Sequence, residues 1–197
     1  MNIDSVRLVF DSGLTIDSIV LPAALEYSSD LGSWKISSVV ANSDAQNEIV
    51  WEYSCDKPPF HALKLSNNNT LITHSIGHIV REVNFEGEVL WSFGKFEMSG
   101  DDQLHLSYPE HAVRLKNGNT LITDTGNSRI VEISPEGDMV WSYAGDKGNI
   151  ILSPVLATRL KDGHTYIIHS NYKQILEVNE EKQMLWKLVL PSKRGMT

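Results

Sequence analysis

The sequence predicts an all-β domain built from a repeated unit of four short strands. Three segments align with one another without a gap: residues 61–93, 111–143 and 156–188. Each segment has a proline two residues before it and a tryptophan 32 residues after that proline, namely Pro59 and Trp91, Pro109 and Trp141, and Pro154 and Trp186. A repeat spacing of this length indicates one small structural unit used several times.

Each unit contains four apolar runs, which in the middle unit are 112–115, 120–124, 130–133 and 139–143. These runs are short and rich in Val, Ile, Thr, Trp and Tyr, as strands are. Asn117-Gly118 separates the first two runs and predicts a two-residue hairpin turn. No stretch shows sustained helical periodicity. A four-stranded antiparallel unit repeated in this way predicts a β-propeller, in which each unit is one blade.

The first blade is less regular, and two alignments of it are open. In one alignment Pro22 takes the place of Pro59, and Trp51 follows it by 29 residues. In the other, Val6-Arg7-Leu8 matches Val113-Arg114-Leu115, 14–18 forms the second strand, and 23–44 is an insertion with a hairpin near Gly32-Ser33. Both alignments predict four blades in a single domain 1–197, approximately 1–53, 54–94, 104–144 and 150–190, with the first degenerate.

Composition excludes several classes of partner. The chain of 197 residues has 17 basic and 25 acidic residues, a net charge of −8, and such a surface repels nucleic acid. It has no apolar run long enough to span a membrane, and its start does not resemble a signal peptide. The single cysteine, Cys55, fits a reducing compartment. We therefore expect a cytoplasmic protein with no membrane association.

At residues 61–94 the sequence resembles the arylsulfotransferase-type β-propellers, whose repeats have a histidine opening the inner strand, a Gly-Asn-Thr-Leu-like turn and a Gly-x-x-x-Trp outer strand. Residues 119–124 and 127–130 are also similar to NHL and PQQ-type propeller repeats. The first resemblance implies a six-bladed ring in which a channel histidine transfers a sulfuryl group between phenols. His61 and His111 match the strand-opening histidine and are the candidate catalytic residues. The chain departs from this family in having four blades and no export signal or additional domain.

The hairpin register predicts a candidate ligand site. With two-residue turns, His61 faces His74, His111 faces Asp124, and Leu156 faces His169. The first strand of a propeller blade lines the central channel, so these histidines and Asp124 would meet on one rim. Imidazole and carboxylate also suit a divalent metal, but no metal-binding motif is present and we assign no metal.

The same residues have structural interpretations. Asp124 is placed to accept hydrogen bonds from the turn Thr125-Gly126-Asn127. Arg129 is either an anion-binding residue or the partner in a salt bridge to a neighbouring blade. The loop 95–107, the longest between blades, is predicted to be a lid or a contact surface. The tryptophans of the repeat are predicted to pack between blades.

Two functions remain open on the sequence. The first is a propeller that binds a small ligand or a protein partner through His74, Asp124, His169 and Arg129. The second is an arylsulfotransferase-like enzyme that uses His61 or His111. The sequence identifies neither a ligand nor a cofactor. It favours a homodimer, because an open arc of four blades would leave the apolar faces of its end blades in water.

Overall fold

The computed structural model describes residues 19–28, 33–41, 47–55, 57–146, 149–169 and 173–189. Within these ranges the secondary structure is a series of strands and one short 3-10 helix, Thr125–Asn127. The strands are β1 Ile19–Ser28, β2 Ser33–Ala41, β3 Asn47–Cys55, β4 His61–Lys64, β5 Thr70–His74, β6 Ile79–Val83, β7 Val89–Gly94, β8 Pro109–Arg114, β9 Thr120–Asp124, β10 Arg129–Ile133, β11 Met139–Tyr143, β12 Gly145–Asp146, β13 Asn149–Ile150, β14 Leu156–Arg159, β15 Thr165–His169, β16 Gln174–Val178 and β17 Met184–Val189. No helix in these ranges has the length and apolarity that crossing a membrane requires.

Three antiparallel sheets of four strands confirm the repeated unit. Their strand orders are β4-β5-β6-β7, β8-β9-β10-β11 and β14-β15-β16-β17, which we name blades 2, 3 and 4. Each blade runs outward from its first strand to the strand that holds the repeat tryptophan. The short β12-β13 hairpin lies in the connection between blades 3 and 4.

Within the described residues, blade 1 consists of three antiparallel strands, β1-β2-β3, with Trp51 in the last of them. The described residues test the two alignments of the first blade in part. Pro22 lies inside β1, where it pairs with Ser38, and does not precede the sheet. The hairpin that the second alignment predicts near Gly32-Ser33 is present, with Ser28 paired to Ser33, and its strand β2 also pairs with β3. The segment Val6-Arg7-Leu8 lies outside the described residues.

The turn between the first two strands of blades 2, 3 and 4 has three residues, and the predicted two-residue turn is wrong. In blade 3 the Leu115 N–H donates to Asn119 O at 2.8 Å, and the Gly118 N–H donates to Leu115 O at 3.1 Å. Only the third loop residue has a positive φ: 66° at Asn68, 89° at Gly118 and 89° at Gly163. This is the type I turn with a following left-handed residue that closes three-residue hairpins.

The extra loop residue changes the strand register by one. His61 pairs with Thr73, His111 with Thr123 and Leu156 with Ile168. The predicted pairs with His74, Asp124 and His169 are therefore wrong. Since successive side chains on a strand alternate between faces, the shift places each of these three residues on the face opposite to the one predicted.

The hydrophobic core is divided into the seams between neighbouring blades. Leu71 and Val80 of blade 2 pack against Ala112 and Ile122 of blade 3. The seam between blades 3 and 4 has the same construction, and the seam between blades 1 and 2 is built around Trp51 and Ile72. Blades 2 and 3 are covered on both faces, so every residue of β5 and β9 is buried.

At each of the three seams a basic side chain of one blade lies over the repeat tryptophan of the preceding blade, and we call this contact the joint. Arg114 of blade 3 lies 5.0 Å from the ring centre of Trp91 in blade 2 and pairs with Glu82 of blade 2 at 2.5 Å. Arg159 of blade 4 repeats this arrangement on blade 3: it lies 4.8 Å from the ring centre of Trp141 and 2.5 Å from the carboxylate of Glu132. Lys64 lies 5.6 Å from the ring centre of Trp51 in the first seam. The predicted packing between blades is confirmed for Trp51, Trp91 and Trp141, whereas Trp186 is 44% exposed.

Candidate functional site

The two strand-opening histidines lie side by side on neighbouring inner strands. His61 is the first residue of β4 and His111 lies on β8, and their ring centroids are 4.6 Å apart with a tilt of 46°. Both residues are half-buried. The structure thus brings the two predicted catalytic residues together, one from blade 2 and the other from blade 3.

The environment of the pair keeps both imidazoles neutral near pH 7. Burial lowers the pKa of His61 below its ordinary value. Burial also lowers the pKa of His111, to about 4, and the neighbouring His61 contributes because two protonated rings would repel each other. A hydrogen bond to the backbone carbonyl of Ala157 acts in the opposite direction on His111 without overcoming these effects.

Four polar atoms at this place have no hydrogen-bond partner within the described part of the chain. They are Nδ1 of His61 and of His111, and Oγ1 of Thr73 and of Thr123, all buried. The observed register explains the grouping, because Thr73 lies directly across from His61 and Thr123 directly across from His111. We call these four residues the histidine-pair site. These four atoms offer hydrogen-bonding capacity to a ligand or to water.

His74, Asp124 and His169 occupy equivalent places at the ends of the second strands, and two of them hold the segment that leads into the inner strand. The Ser107 N–H donates to Asp124 Oδ1 at 2.7 Å. His169 Nδ1 lies 3.3 Å from Leu152 O, in the equivalent place of blade 4. The contacts of Asp124 and His169 are with the segments that precede β8 and β14, and the five-residue rim site stays a prediction.

Arg129 is engaged within its own blade. Its Nε donates to Asp124 Oδ2 at 2.7 Å, and its other nitrogens donate to the backbone carbonyls of Asp101, Asp102 and His105 at 2.6–3.1 Å. The predicted salt bridge therefore exists, but it lies inside blade 3 and does not reach a neighbouring blade. Arg129 therefore holds the loop 95–107 against blade 3. We call the hydrogen bonds of Arg129 and Asp124 to this loop and to each other the clamp.

Asp124 is the centre of that clamp. Its Oδ2 also accepts a hydrogen bond from Asn127 at 2.7 Å, and Asn127 donates to Gly100 O at 2.7 Å. Burial raises the pKa of Asp124, whereas the donors from Ser107, Asn127 and Arg129 lower it. The 3-10 turn at residues 125–127 positions Asn127, as the structural interpretation of Asp124 expected.

A further polar cluster escaped the sequence reasoning. His164 Nδ1 lies 2.8 Å from Glu177 Oε1 and 3.6 Å from Asp162 Oδ2, and all three offer ligand atoms suited to a metal. The repeat explains the position of the cluster. Asn119 contacts Glu132 at 2.7 Å in the equivalent place of blade 3, as Asn69 contacts Glu82 in blade 2. Comparing positions between repeats would have revealed it.

A groove of about 880 Å³ opens at the other end of the seam between blades 3 and 4. Trp141, Arg114, Arg159 and the turn at Asp162 line it. It lies at the hairpin ends of the inner strands, whereas the histidine pair lies at their beginnings. Both arginines are already paired with glutamates, so the groove offers less free binding capacity than its charges indicate.

No protein-family model and no curated protein sequence matches the chain. Solved structures do. Virginiamycin B lyase from Staphylococcus aureus superposes with a TM-score of 0.55 at 16% identity, over 86% of this chain and 55% of the lyase. A protein of unknown function from Bacteroides caccae gives 0.58 at 19% identity, over 86% of this chain and 67% of its own. The WD40 domain of Toxoplasma gondii coronin gives 0.56 at 10% identity, over 79% and 40%.

The chain has a β-propeller fold. The chain spans 55–60% of the length of the virginiamycin B lyase and streptogramin B lyase structures that it matches. The matched structures, taken together, belong to proteins of different functions, so the likeness establishes the fold and its repeats alone. Neither the lyase nor the coronin domain is named as an arylsulfotransferase, and the resemblance to that type of propeller stays a prediction.

Proposed function

We propose that this protein is a β-propeller that binds a small ligand, and that the histidine-pair site is its recognition element. The observation that supports this proposal is the contact of two half-buried imidazoles at 4.6 Å, each with an Nδ1 atom that has no partner among the described residues. Packing alone gives no reason to bury these two Nδ1 atoms without a hydrogen bond, because each then costs desolvation free energy.

The chemistry of the site indicates the class of ligand. A neutral imidazole accepts a hydrogen bond at its unprotonated nitrogen, and the Thr73 and Thr123 hydroxyls both donate and accept. Arg129, the candidate anion-binding residue, pairs with Asp124 and donates hydrogen bonds to the 95–107 loop. The site therefore suits a neutral compound that bears hydroxyl groups, such as a phenol or a polyol, more than an anion.

A thermal-shift screen of phenols and polyols on the purified chain tests this function. A ligand at 100 times its dissociation constant stabilises the folded state by about 2.7 kcal/mol. We expect active compounds to raise the melting temperature of the wild type and of an H164Q control, but not of H61Q or H111Q. His164 lies outside the site, on a partly exposed turn, so H164Q controls for loss of a histidine alone. Compounds that stabilise all four proteins equally would place binding elsewhere.

Sulfuryl transfer is the second candidate function, favoured by one observation. The lowered pKa of His111 leaves an unprotonated ring nitrogen at neutral pH, as a nucleophile or general base requires. The test is incubation with 4-nitrophenyl sulfate and a phenol acceptor. Formation of the sulfated acceptor that H111Q or H61Q abolishes would favour the enzyme. Absence of transfer with intact phenol binding would favour the binding protein.

A further inference from the structure

The turn that joins β14 to β15 in blade 4 differs in chemistry from the same turn in blades 2 and 3. In those two blades, two asparagine side chains of the turn donate hydrogen bonds to one glutamate of the third strand: Asn67 and Asn69 to Glu82, and Asn117 and Asn119 to Glu132. In blade 4 the same three places hold Asp162, His164 and Glu177. The repeat therefore explains why three polar side chains meet at this turn, but it does not require that all three offer metal-ligand atoms.

The three side chains of this turn converge. His164 Nδ1 lies 2.8 Å from Glu177 Oε1 and 3.6 Å from Asp162 Oδ2, and the three ligand atoms all lie within 4.8 Å of one another. Ligand atoms at about 2.0–2.1 Å from a tetrahedral zinc ion are about 3.4 Å apart, which lies between the two measured distances. Small rotations of the side chains are therefore enough to place all three atoms on one ion.

Neighbouring groups orient the two carboxylates. Asp162 Oδ1 accepts a hydrogen bond from the His164 N–H at 3.1 Å, and this bond holds Oδ2 beside the imidazole. The Tyr166 hydroxyl donates a hydrogen bond to Glu177. Hydrogen bonds of this kind orient the ligands in metal sites and contribute to metal affinity.

The surroundings of the turn are acidic. The hydrogen bond to Glu177 raises the pKa of His164, and the charges of Asp162 and Glu181 act in the same direction. The carboxylate of Glu180 packs against the glycine of the same turn. Four carboxylates thus lie around one imidazole, and a divalent cation among them would reduce the repulsion between their charges.

We propose that Asp162, His164 and Glu177 bind a divalent transition-metal ion, and that Zn²⁺ suits the three ligands best. The imidazole nitrogen favours transition metals over Mg²⁺ and Ca²⁺, which prefer oxygen ligands. Three protein ligands leave the fourth position of a tetrahedral ion to water or to another molecule. The ion would connect the first hairpin of blade 4 to its third strand, at the edge of the groove that Asp162 also lines.

Equilibrium dialysis of the full-length chain against zinc chloride at pH 7.0, with the bound metal measured by atomic absorption, tests this proposal. We expect the wild type to bind Zn²⁺ and D162N/H164N to lose its tightest site. This double variant should still fold, because blades 2 and 3 have asparagine at both places. E177Q should weaken the binding by about 100-fold or more, since residues that only support metal ligands already contribute about 10–100-fold.

H105Q is the matched control for the loss of a histidine that contacts a carboxylate. His105 Nδ1 lies 2.7 Å from Asp102 Oδ1, in the 95–107 loop and outside the proposed site. H105Q should therefore bind Zn²⁺ as tightly as the wild type does. Magnesium chloride is the control for the ion, and Mg²⁺ should bind much more weakly than Zn²⁺.

Four results would overturn the proposal. The first is a wild type that binds no Zn²⁺ up to the millimolar range. The second is equal Zn²⁺ affinity in the wild type and D162N/H164N, with the folding of both verified by circular dichroism. The third is a loss in H105Q as large as that in D162N/H164N. The fourth is Mg²⁺ binding as tight as Zn²⁺ binding, which would show that the acidic turn attracts cations without selecting a transition metal.

Discussion

Arg129 and Asp124 form an ion pair inside blade 3, with Nε and Oδ2 2.7 Å apart and the carboxylate fully buried. The guanidinium spans from this carboxylate to three backbone carbonyls of the loop 95–107. The pair therefore fixes the longest connection between two blades, and the loop depends on it for its position.

Replacing the buried carboxylate should be strongly destabilising. In D124N the guanidinium of Arg129 keeps its burial but loses its counter-charge, and breaking a buried pair in this way costs about 3–5 kcal/mol. Urea denaturation monitored by tryptophan fluorescence measures the loss. D138N removes an exposed carboxylate from the same blade and should change stability by under about 0.5 kcal/mol. Equal losses in the two variants would contradict the clamp.

The histidine pair should make stability depend on pH. The pKa of His111 is lowered to about 4 from an ordinary value of 6.5, so between these values the unfolded chain binds more protons than the folded chain. The free energy of unfolding should therefore be largest above about pH 6.5 and fall as the pH is lowered towards 4, by up to about 3 kcal/mol. Urea denaturation at pH 7.0 and pH 4.5 measures the difference.

The variants H111Q and H164Q separate this effect from general acid sensitivity. H111Q should show a smaller difference between the two pH values than the wild type. H164Q should not reduce it, because Glu177 raises the pKa of His164 and a raised pKa favours the folded state at low pH. A pH difference that is unchanged in H111Q would show that the pair is protonated as easily in the folded chain as in water.

The repeat tryptophans should differ in their contribution to stability. Trp141 packs under Arg159 and donates from Nε1 to Glu180 O at 3.0 Å, so W141A loses packing, a cation–π contact and a hydrogen bond. We expect a loss of roughly 2–4 kcal/mol. W186A should lose much less stability, since Trp186 is 44% exposed on blade 4. Melting temperatures of the two variants, measured in parallel, test this prediction. A larger decrease for W186A than for W141A would contradict it.

The joint between blades 3 and 4 should show energetic coupling between Arg159 and Glu132. R159A and E132A each remove a half of the pair, and R159A/E132A removes both. A double-mutant cycle should give a coupling free energy of about 1–3 kcal/mol, as for contacting residues in one ion-pair network. Additive losses would mean that the contact at 2.5 Å contributes nothing to holding the blades together.

Much of the architecture follows from the sequence because the repeat reports it three times. The unbroken alignment of three units fixed the number of strands in blades 2, 3 and 4, and the tryptophan spacing located the outer strands. Blade 1 lacks that support. Trp51 lies in the last strand of its blade, as predicted, but one degenerate copy of the repeat does not decide between the two alignments of the residues before it.

The register failed for a specific chemical reason. Asn-Gly fits a two-residue turn with two positive φ angles, yet it also fits the last two positions of a three-residue turn. Here the Asn117 side chain accepts a hydrogen bond from the Asn119 N–H at 3.1 Å, and only Gly118 needs the positive φ. Asn67 and Asp162 make the same bond. This Asx turn is the signal that decides between the two turns.

The candidate site was predicted in part. His61 and His111 were singled out by their equivalent positions, and they do meet. Their contact runs between blades, and a hairpin register cannot predict contacts of that kind. The anchoring of Asp124 by Ser107 and Arg129 depends on the path of the 95–107 loop, which the repeat does not contain.

Blades 2 and 3 are covered on both faces and blade 4 is less so, and this difference has a consequence for local unfolding. β5 and β9 are buried along their whole length, whereas β15 alternates between buried and half-buried residues. Since each blade contacts only its neighbours, fluctuations should begin at blade 4 and spread inward one seam at a time. Amide protons of β9 should exchange with solvent most slowly and those of β17 fastest. Local unfolding should therefore begin at blade 4 and reach blade 3 only afterwards.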